Sequence, residues 1–254
     1  MIISDKHKYV FIELPRTGST AIANELREQY DGIPILYKHA TYEEFLRDAT
    51  PEQREYFSFS GIRNPLDDVV SVYAKYAQDP RKLYRDPEKL KVQSRNLLER
   101  IRDRRRVRFI ERGNAEFADF FLKFYRFPYS RWSELSHTSF DFLIHFERLQ
   151  EDFSEALTLI GIEPRRPLPE RNRTGGKAND YLSYYTPETI ARAKWVFGPY
   201  MKKWGYAFPE EWGEVNVSWW NQLEFRLVNN LKGTYWKYLR PQLAKLRSMA
   251  HQGV

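Results

Sequence analysis

The chain has no cysteine in its 254 residues. That absence excludes a disulfide-stapled scaffold, a cysteine nucleophile, a thiolate zinc site and an iron–sulfur cluster. Histidine is scarce as well, with five scattered residues, which argues against a histidine-built metal site. No apolar run reaches the about 18 residues that a membrane-spanning helix needs. The opening stretch, MIISDKHKYVFIEL, lacks the basic start and roughly 7–15-residue apolar segment of a secretory leader. The expectation is a soluble, cytoplasmic protein. Acidic residues are also in deficit, 34 Asp and Glu against 41 Lys and Arg for a net charge of +7. Anionic partners are therefore favoured, and nucleotides, acidic or sulfated glycans, nucleic acid and anionic lipid all remain open. Hydrophobic residues make up 42% and aromatics 16%, enough to build a core and to exclude wholesale disorder.

The length exceeds the ~100–150 residues of a typical domain, yet α/β folds of this size are routinely one unit. The reading is one α/β domain over residues 1–210 with a helical C-terminal extension over 211–254. Tyr9 to Leu14 is a short β-forming run stopped by Pro15, as expected of a buried strand. A helix is predicted from about Thr20 to Gln29. Ile33 to Tyr37 reads as a second strand, and Thr41 and Glu44 are spaced as a capping box opening a helix. Tyr56 to Ile62 reads as a strand. Asn64-Pro65 then supplies an N-cap and the favoured first-turn proline, with Leu66, Val69, Val70, Tyr73 and Ala77 as the apolar stripe of the helix that follows.

Residues 79–113, with helical spacing and a dense basic segment, read as an insertion or a helical flap on the sheet. A helix from Ala115 to Tyr125, a strand from Phe140 to Phe146 and a helix from Leu149 to Ile160 closed by Gly161 come next. Residues 163–180 read as an irregular loop around Asn172-Arg173-Thr174-Gly175-Gly176-Lys177, and Thr186-Pro187 starts a further helix. Strands alternating with helices predict a parallel sheet covered on both faces, with ligands bound where the strands' carboxyl ends meet their loops.

Two segments carry chemistry. Between the first long strand and its helix, Arg16-Thr17-Gly18-Ser19-Thr20 places backbone N–H groups, a glycine and three hydroxyls at a helix N-terminus, which is the make-up of an anion cradle. The segment alone fits an ordinary strand-to-helix turn equally well, since the Walker lysine and second glycine are absent. In the second segment Arg63 ends a strand. Ser71 lies two turns beyond the Asn64 cap, roughly 10 Å along the axis, off the apolar stripe and free to face a ligand.

Together these pieces resemble the sulfotransferases that use 3′-phosphoadenosine-5′-phosphosulfate (PAPS). YVFIELPRTGSTAIANEL resembles that family's 5′-phosphosulfate loop, and FSFSGIRNPLDDVVSVYAKY its 3′-phosphate motif. Looser similarity continues through DFLIHFERLQEDFSEALTLIGI, NRTGG and YYTPETIARAKWVFGPYMKKWGY, so that it spans most of residues 8–208. Residues 79–135 and those beyond about 210 match nothing in the family's pattern. The resemblance implies a P-loop-like parallel sheet and PAPS as co-substrate, with 3′,5′-ADP as product and no metal. It assigns Arg16, Thr17, Gly18, Ser19 and Thr20 to the 5′-phosphosulfate, Arg63 and Ser71 to the 3′-phosphate, and Arg173 and Lys177 to a late basic loop closing over the donor. Many members carry lysine where this chain has Arg16. An arginine neutralises the leaving phosphate but does not give up a proton near neutral pH.

Sulfuryl transfer, like phosphoryl transfer, depends on in-line positioning and stabilisation of developing charge, and the acceptor hydroxyl needs a base. His39, at the end of a predicted strand, resembles the base of uronyl 2-O-sulfotransferases and relatives, with Glu13 and Glu25 as weaker candidates. The expected acceptor is a hydroxyl on a carbohydrate, a glycan or glycolipid, with nucleic acid not expected as a partner. The arginine-rich stretch Arg100–Arg112 suits the carboxylates or sulfates of an acidic acceptor, or equally a solvated helix with acidic neighbours. The tryptophan-rich extension suits a membrane surface, the protein's own body or a second subunit. Two other readings stand beside this one. A nucleotide kinase on the same sheet lacks the Walker lysine and a magnesium carboxylate, and a basic nucleic-acid-binding protein leaves the paired motifs unused.

Overall fold

The computed structural model describes residues 1–79, 81–93, 97–131, 134, 137–169 and 180–235. Its sheet has five strands: β1 (Ile2–Ser4), β2 (Tyr9–Ile12), β3 (Ile33–Pro34), β4 (Phe57–Ile62) and β5 (Phe142–His145), in the order β3-β1-β2-β4-β5. β2, β4 and β5 run parallel, with Ile12 opposite Ser60 and Ile62 opposite His145. Their carboxyl ends therefore share one edge of the sheet. All four residues of β2 are buried because both faces of the sheet are covered. Tyr9 and Phe11 pack with Ile22 and Leu26 of α1 (Ser19–Gln29) and with Phe153 and Leu157 of α7 (Leu149–Leu159). Val10 and Ile12, pointing the other way, pack with Tyr42 and Phe45 of α2 (Tyr42–Asp48).

The expected parallel sheet is present as this core, and its far edge is antiparallel. Ile2–Ser4 pairs antiparallel with both β2 and β3, a strand too short to announce itself by periodicity. The strand expected over Ile33–Tyr37 is only Ile33–Pro34. Proline offers no ladder N–H, and Leu36 already has φ 53°, so the extended run stops there.

The described residues fall into two compact units. The first, within Met1–Arg63, Ser130–Arg171 and Leu223–Val254, holds the sheet with α1, α2 and α7. The second, within Asn64–Tyr129 and Asn172–Gln222, holds α3 (Pro65–Gln78), α4 (Pro87–Gln93), α5 (Leu97–Gly113), α6 (Phe117–Phe124) and α8 (Pro187–Trp204). Here Val72 and Tyr76 of α3 share a core with Leu90, Val107, Ile110 and Phe120. A last helix, α9 (Trp219–Thr234), lies within the expected extension.

The local start and stop signals act as their chemistry demands. Asn64 Oδ1 accepts from the Leu66 N–H at 2.9 Å with Pro65 in the first turn. Thr41 and Glu44 form the reciprocal capping box, Thr186 caps α8, and Gly161 takes φ 75° after α7. No described helix is long and apolar enough to cross a membrane.

Candidate active site

In the first unit, β2 leads through Leu14–Gly18 into α1, and the conformation of this turn follows from what grips its carbonyls. The Leu14 carbonyl accepts from Thr17 Oγ1 at 3.0 Å and Ser19 Oγ at 2.7 Å. The Pro15 carbonyl accepts from Arg131 Nη2, and the Arg16 carbonyl from Arg63 Nη1 at 3.2 Å. Three successive carbonyls are thus pinned by side chains. In a trans peptide the next residue's N–H points the opposite way, so the N–H groups of Arg16 and Thr17 face away from those braces. Arg16 at φ 62° and Gly18 at φ 73° are left-handed, which gives the turn the alternating curvature of a backbone nest.

Gly18 is the N-cap of α1 and brings no side chain of its own to cap it. The helix geometry leaves the N–H groups of Ser19 and Thr20 without intrahelical acceptors, and the helix dipole adds positive potential there. A side chain at position 18 would be strained by its φ, and its Cβ would lie 2.8 Å from Leu149 Cδ2. Gly61 of β4 is as tightly placed, since a Cβ there would sit 2.7 Å from Thr17 Cβ and Oγ1.

The expected site residues thus divide by task. Thr17 and Ser19 are buried and their hydroxyl protons are committed to Leu14, so what they offer an anion is backbone N–H. The exposed Arg16 side chain and the half-buried Thr20 hydroxyl stand at the surface of the turn. Arg63, buried at 7% exposure, stacks its guanidinium 4.0 Å above the Phe146 ring while bracing Arg16.

His39 lies in the loop before α2, half-buried and at φ 66°. Its Nδ1 is 2.8 Å from the Glu13 carbonyl, an oxygen that can only accept. Nδ1 therefore carries the proton, and in the neutral ring Nε2 holds the basic lone pair. The same contact ties His39 to the residue just before the anion turn. The two weaker base candidates are otherwise engaged. Glu13 Oε1 is 2.7 Å from the Met1 amine. Glu25, 1% exposed, is held by Arg166 through Nε and Nη2, each at 2.8 Å.

Two cations at the turn escaped the sequence reading. Lys38 Nζ donates to Thr20 Oγ1 at 3.0 Å, and its position beside His39 was the available signal. Arg131 comes from a stretch outside the recognisable motifs, and no local pattern marks it.

Ser71 belongs to the second unit and is 3% exposed. It does not lie on an open helix face, because α3 buries ten of its fourteen residues, well beyond the apolar stripe. Arg173 and Lys177 lie outside the described residues. The arginine-rich stretch forms α5 of the second unit, where Arg102 Nε meets Asp103 at 2.8 Å. In the C-terminal extension, Asn221 is buried and donates to the Trp195 carbonyl at 3.0 Å. Among the described residues no group of three acidic or histidine side chains is placed to hold a metal ion.

A parallel β-core whose first loop is a braced turn at a helix N-terminus is an α/β arrangement with the features of an anion cradle. The sulfotransferase family model matches residues 1–195. The chain belongs to the sulfotransferase family. No curated protein and no solved structure matches it.

Proposed function

We propose that the protein transfers a sulfuryl group from PAPS to a hydroxyl of a carbohydrate acceptor, a glycan or glycolipid. Family membership supports sulfuryl transfer in general. The observation that carries the finer reading is the turn itself, whose three successive carbonyls are held by side chains at a helix N-terminus, beside a histidine whose Nδ1 is tied to the Glu13 carbonyl.

In this reading the N–H groups of residues 16–20 receive the 5′-phosphosulfate, and Arg16 and Lys38 neutralise the charge that gathers on the leaving phosphate. His39 Nε2 takes the acceptor's hydroxyl proton as the new S–O bond forms. The S–O bond to the donor's 5′-phosphate breaks in line, and 3′,5′-ADP leaves. Arg63 and Ser71 are assigned to the 3′-phosphate, and Arg173 and Lys177 to closure over the donor, all on the strength of the motifs. The preference for carbohydrate rests on the setting of His39.

The test is thermal unfolding with 3′,5′-ADP beside 5′-AMP, ADP and ATP, each with and without Mg²⁺. A ligand at 100 times its Kd stabilises by about 2.7 kcal/mol. For a chain of this size that is a rise of roughly 5–11 °C. Selective stabilisation by 3′,5′-ADP without metal is expected. A response confined to Mg-ATP, or none to any of the four, overturns the reading.

A further inference from the structure

The outer face of α5 has no role in the chemistry above and an unusual make-up. At 100° per residue, Leu97, Leu98 and Ile101 share an arc of about 120° with Arg104, Arg105, Arg108 and Arg112. The three apolar side chains are 62%, 73% and 53% exposed, and the four arginines are exposed too. Val92 of the preceding α4 is 88% exposed. The opposite face accounts for the packing of the helix, because Val107 and Ile110 are buried against Val72, Tyr76 and Phe120. Of the seven outer residues, Arg105 has its guanidinium 5.8 Å from the Phe124 ring, and the other six are not part of that core.

The acids of α5 do not offset these arginines. Asp103 is buried and accepts from Tyr76 Oη at 2.9 Å and from Arg102 Nε at 2.8 Å. Glu111 is paired with Arg85 at 2.8 Å, and Glu99 lies in the field of Arg102. The face is thus apolar at its N-terminal half and cationic at its C-terminal half, over about 22 Å of helix axis.

We propose that this face docks the protein on a membrane surface rich in anionic lipid. The arginines match phosphate headgroups in charge, and the leucines and isoleucine match the acyl boundary beneath them. A dissolved polyanion would use the arginines alone and leave four exposed aliphatic side chains in water. α5 is among the described helices, none of which is long and apolar enough to cross a membrane, so in this proposal it docks along the bilayer surface. Docking of this kind brings a soluble site to lipid-borne acceptors. It rests on the α5 surface and stands whether or not the sulfuryl-transfer reading holds.

The test is co-sedimentation of the full chain with unilamellar vesicles of phosphatidylcholine alone and of phosphatidylcholine with 30% phosphatidylglycerol. Binding is expected only to the anionic vesicles and is weakened by high salt. Each arginine near such a surface contributes a factor of about five in partitioning, so Arg104→Gln with Arg108→Gln should weaken binding about 25-fold. Leu97→Gln, Leu98→Gln and Ile101→Gln together should weaken it at least about tenfold. All five positions are exposed, and an unchanged thermal midpoint verifies that the variants fold. Equal binding to both vesicles, or variants that bind as the unsubstituted chain does, overturns the proposal. So does capture by a sulfated polysaccharide, in the absence of vesicle binding, that the apolar triple variant leaves intact. A dimer that only the triple variant dissolves, again without vesicle binding, assigns the face to a second copy.

Discussion

Replacing Gly61 with alanine tests the anion turn without touching any group that would meet a ligand. The added Cβ would lie 2.7 Å from Thr17 Cβ and Oγ1 and 3.0 Å from the Thr17 carbonyl oxygen. Comfortable carbon contacts begin at about 3.5 Å, so the two chains must part by roughly 0.8 Å. β4 is paired on both sides, to β2 and to β5, and cannot yield. The displacement therefore falls on Thr17, whose 3.0 Å bond to the Leu14 carbonyl helps set the turn. Overpacking of this kind costs about 1–3 kcal/mol, which for a chain of this size lowers Tm by roughly 2–12 °C. The larger effect is on the site, since a 1 Å misplacement costs about a hundredfold in rate. Isothermal titration with 3′,5′-ADP and single-turnover sulfuryl transfer measure it at a temperature where the variant is folded. Gly113→Ala is the control, because its Cβ would meet nothing nearer than Ala115 Cβ at 4.0 Å. A folded Gly61→Ala protein with the parent's affinity and turnover would refute the claim that the pinned turn is the donor cradle.

His39→Ala should reduce sulfuryl transfer by about 10²–10⁴-fold while 3′,5′-ADP affinity stays unchanged, and near-normal turnover removes His39 as the base. Arg63→Ala should both weaken 3′,5′-ADP binding and lower Tm, since it removes the brace on the Arg16 carbonyl and the contact with Phe146; unaltered affinity counts against its place in the site. A double-mutant cycle on Glu25→Ala and Arg166→Ala should show a favourable coupling, smaller than a fully buried pair gives because Arg166 is 44% exposed and screened by water. A coupling near zero by denaturant unfolding would show that the pair does not clamp the 163–169 segment to α1.

Much of the framework was legible because its signals are carried by neighbouring residues. A hydroxyl three residues before an acid caps its own helix, as Thr41 does with Glu44, and Asn64-Pro65 starts α3 with nothing more than its own side chain and a missing N–H. The apolar runs of β2 and β4 and the glycine-bearing turn after β2 were readable for the same reason. The turn's role in the family pattern came with them. What the sequence alone left undecided depends on residues far apart in the chain. β1 exists because Ile2–Ser4 finds partners in β2 and β3, and three residues carry too little periodicity to foretell that. The hydroxyls of Thr17 and Ser19 turn inward because the Leu14 carbonyl lies beneath them, and Ser71 is buried because packing around α3 extends past its stripe. Arg131 reaches Pro15 across 116 positions and Lys38 reaches Thr20 across 18. Composition and local spacing thus determined an α/β protein with a glycine-bearing turn after β2, and the resemblance to the family's motif marked that turn as the candidate cradle. Only the tertiary structure decided which cations brace that cradle and which groups face outward, because those choices are made by sheet register and packing between segments that share no local code.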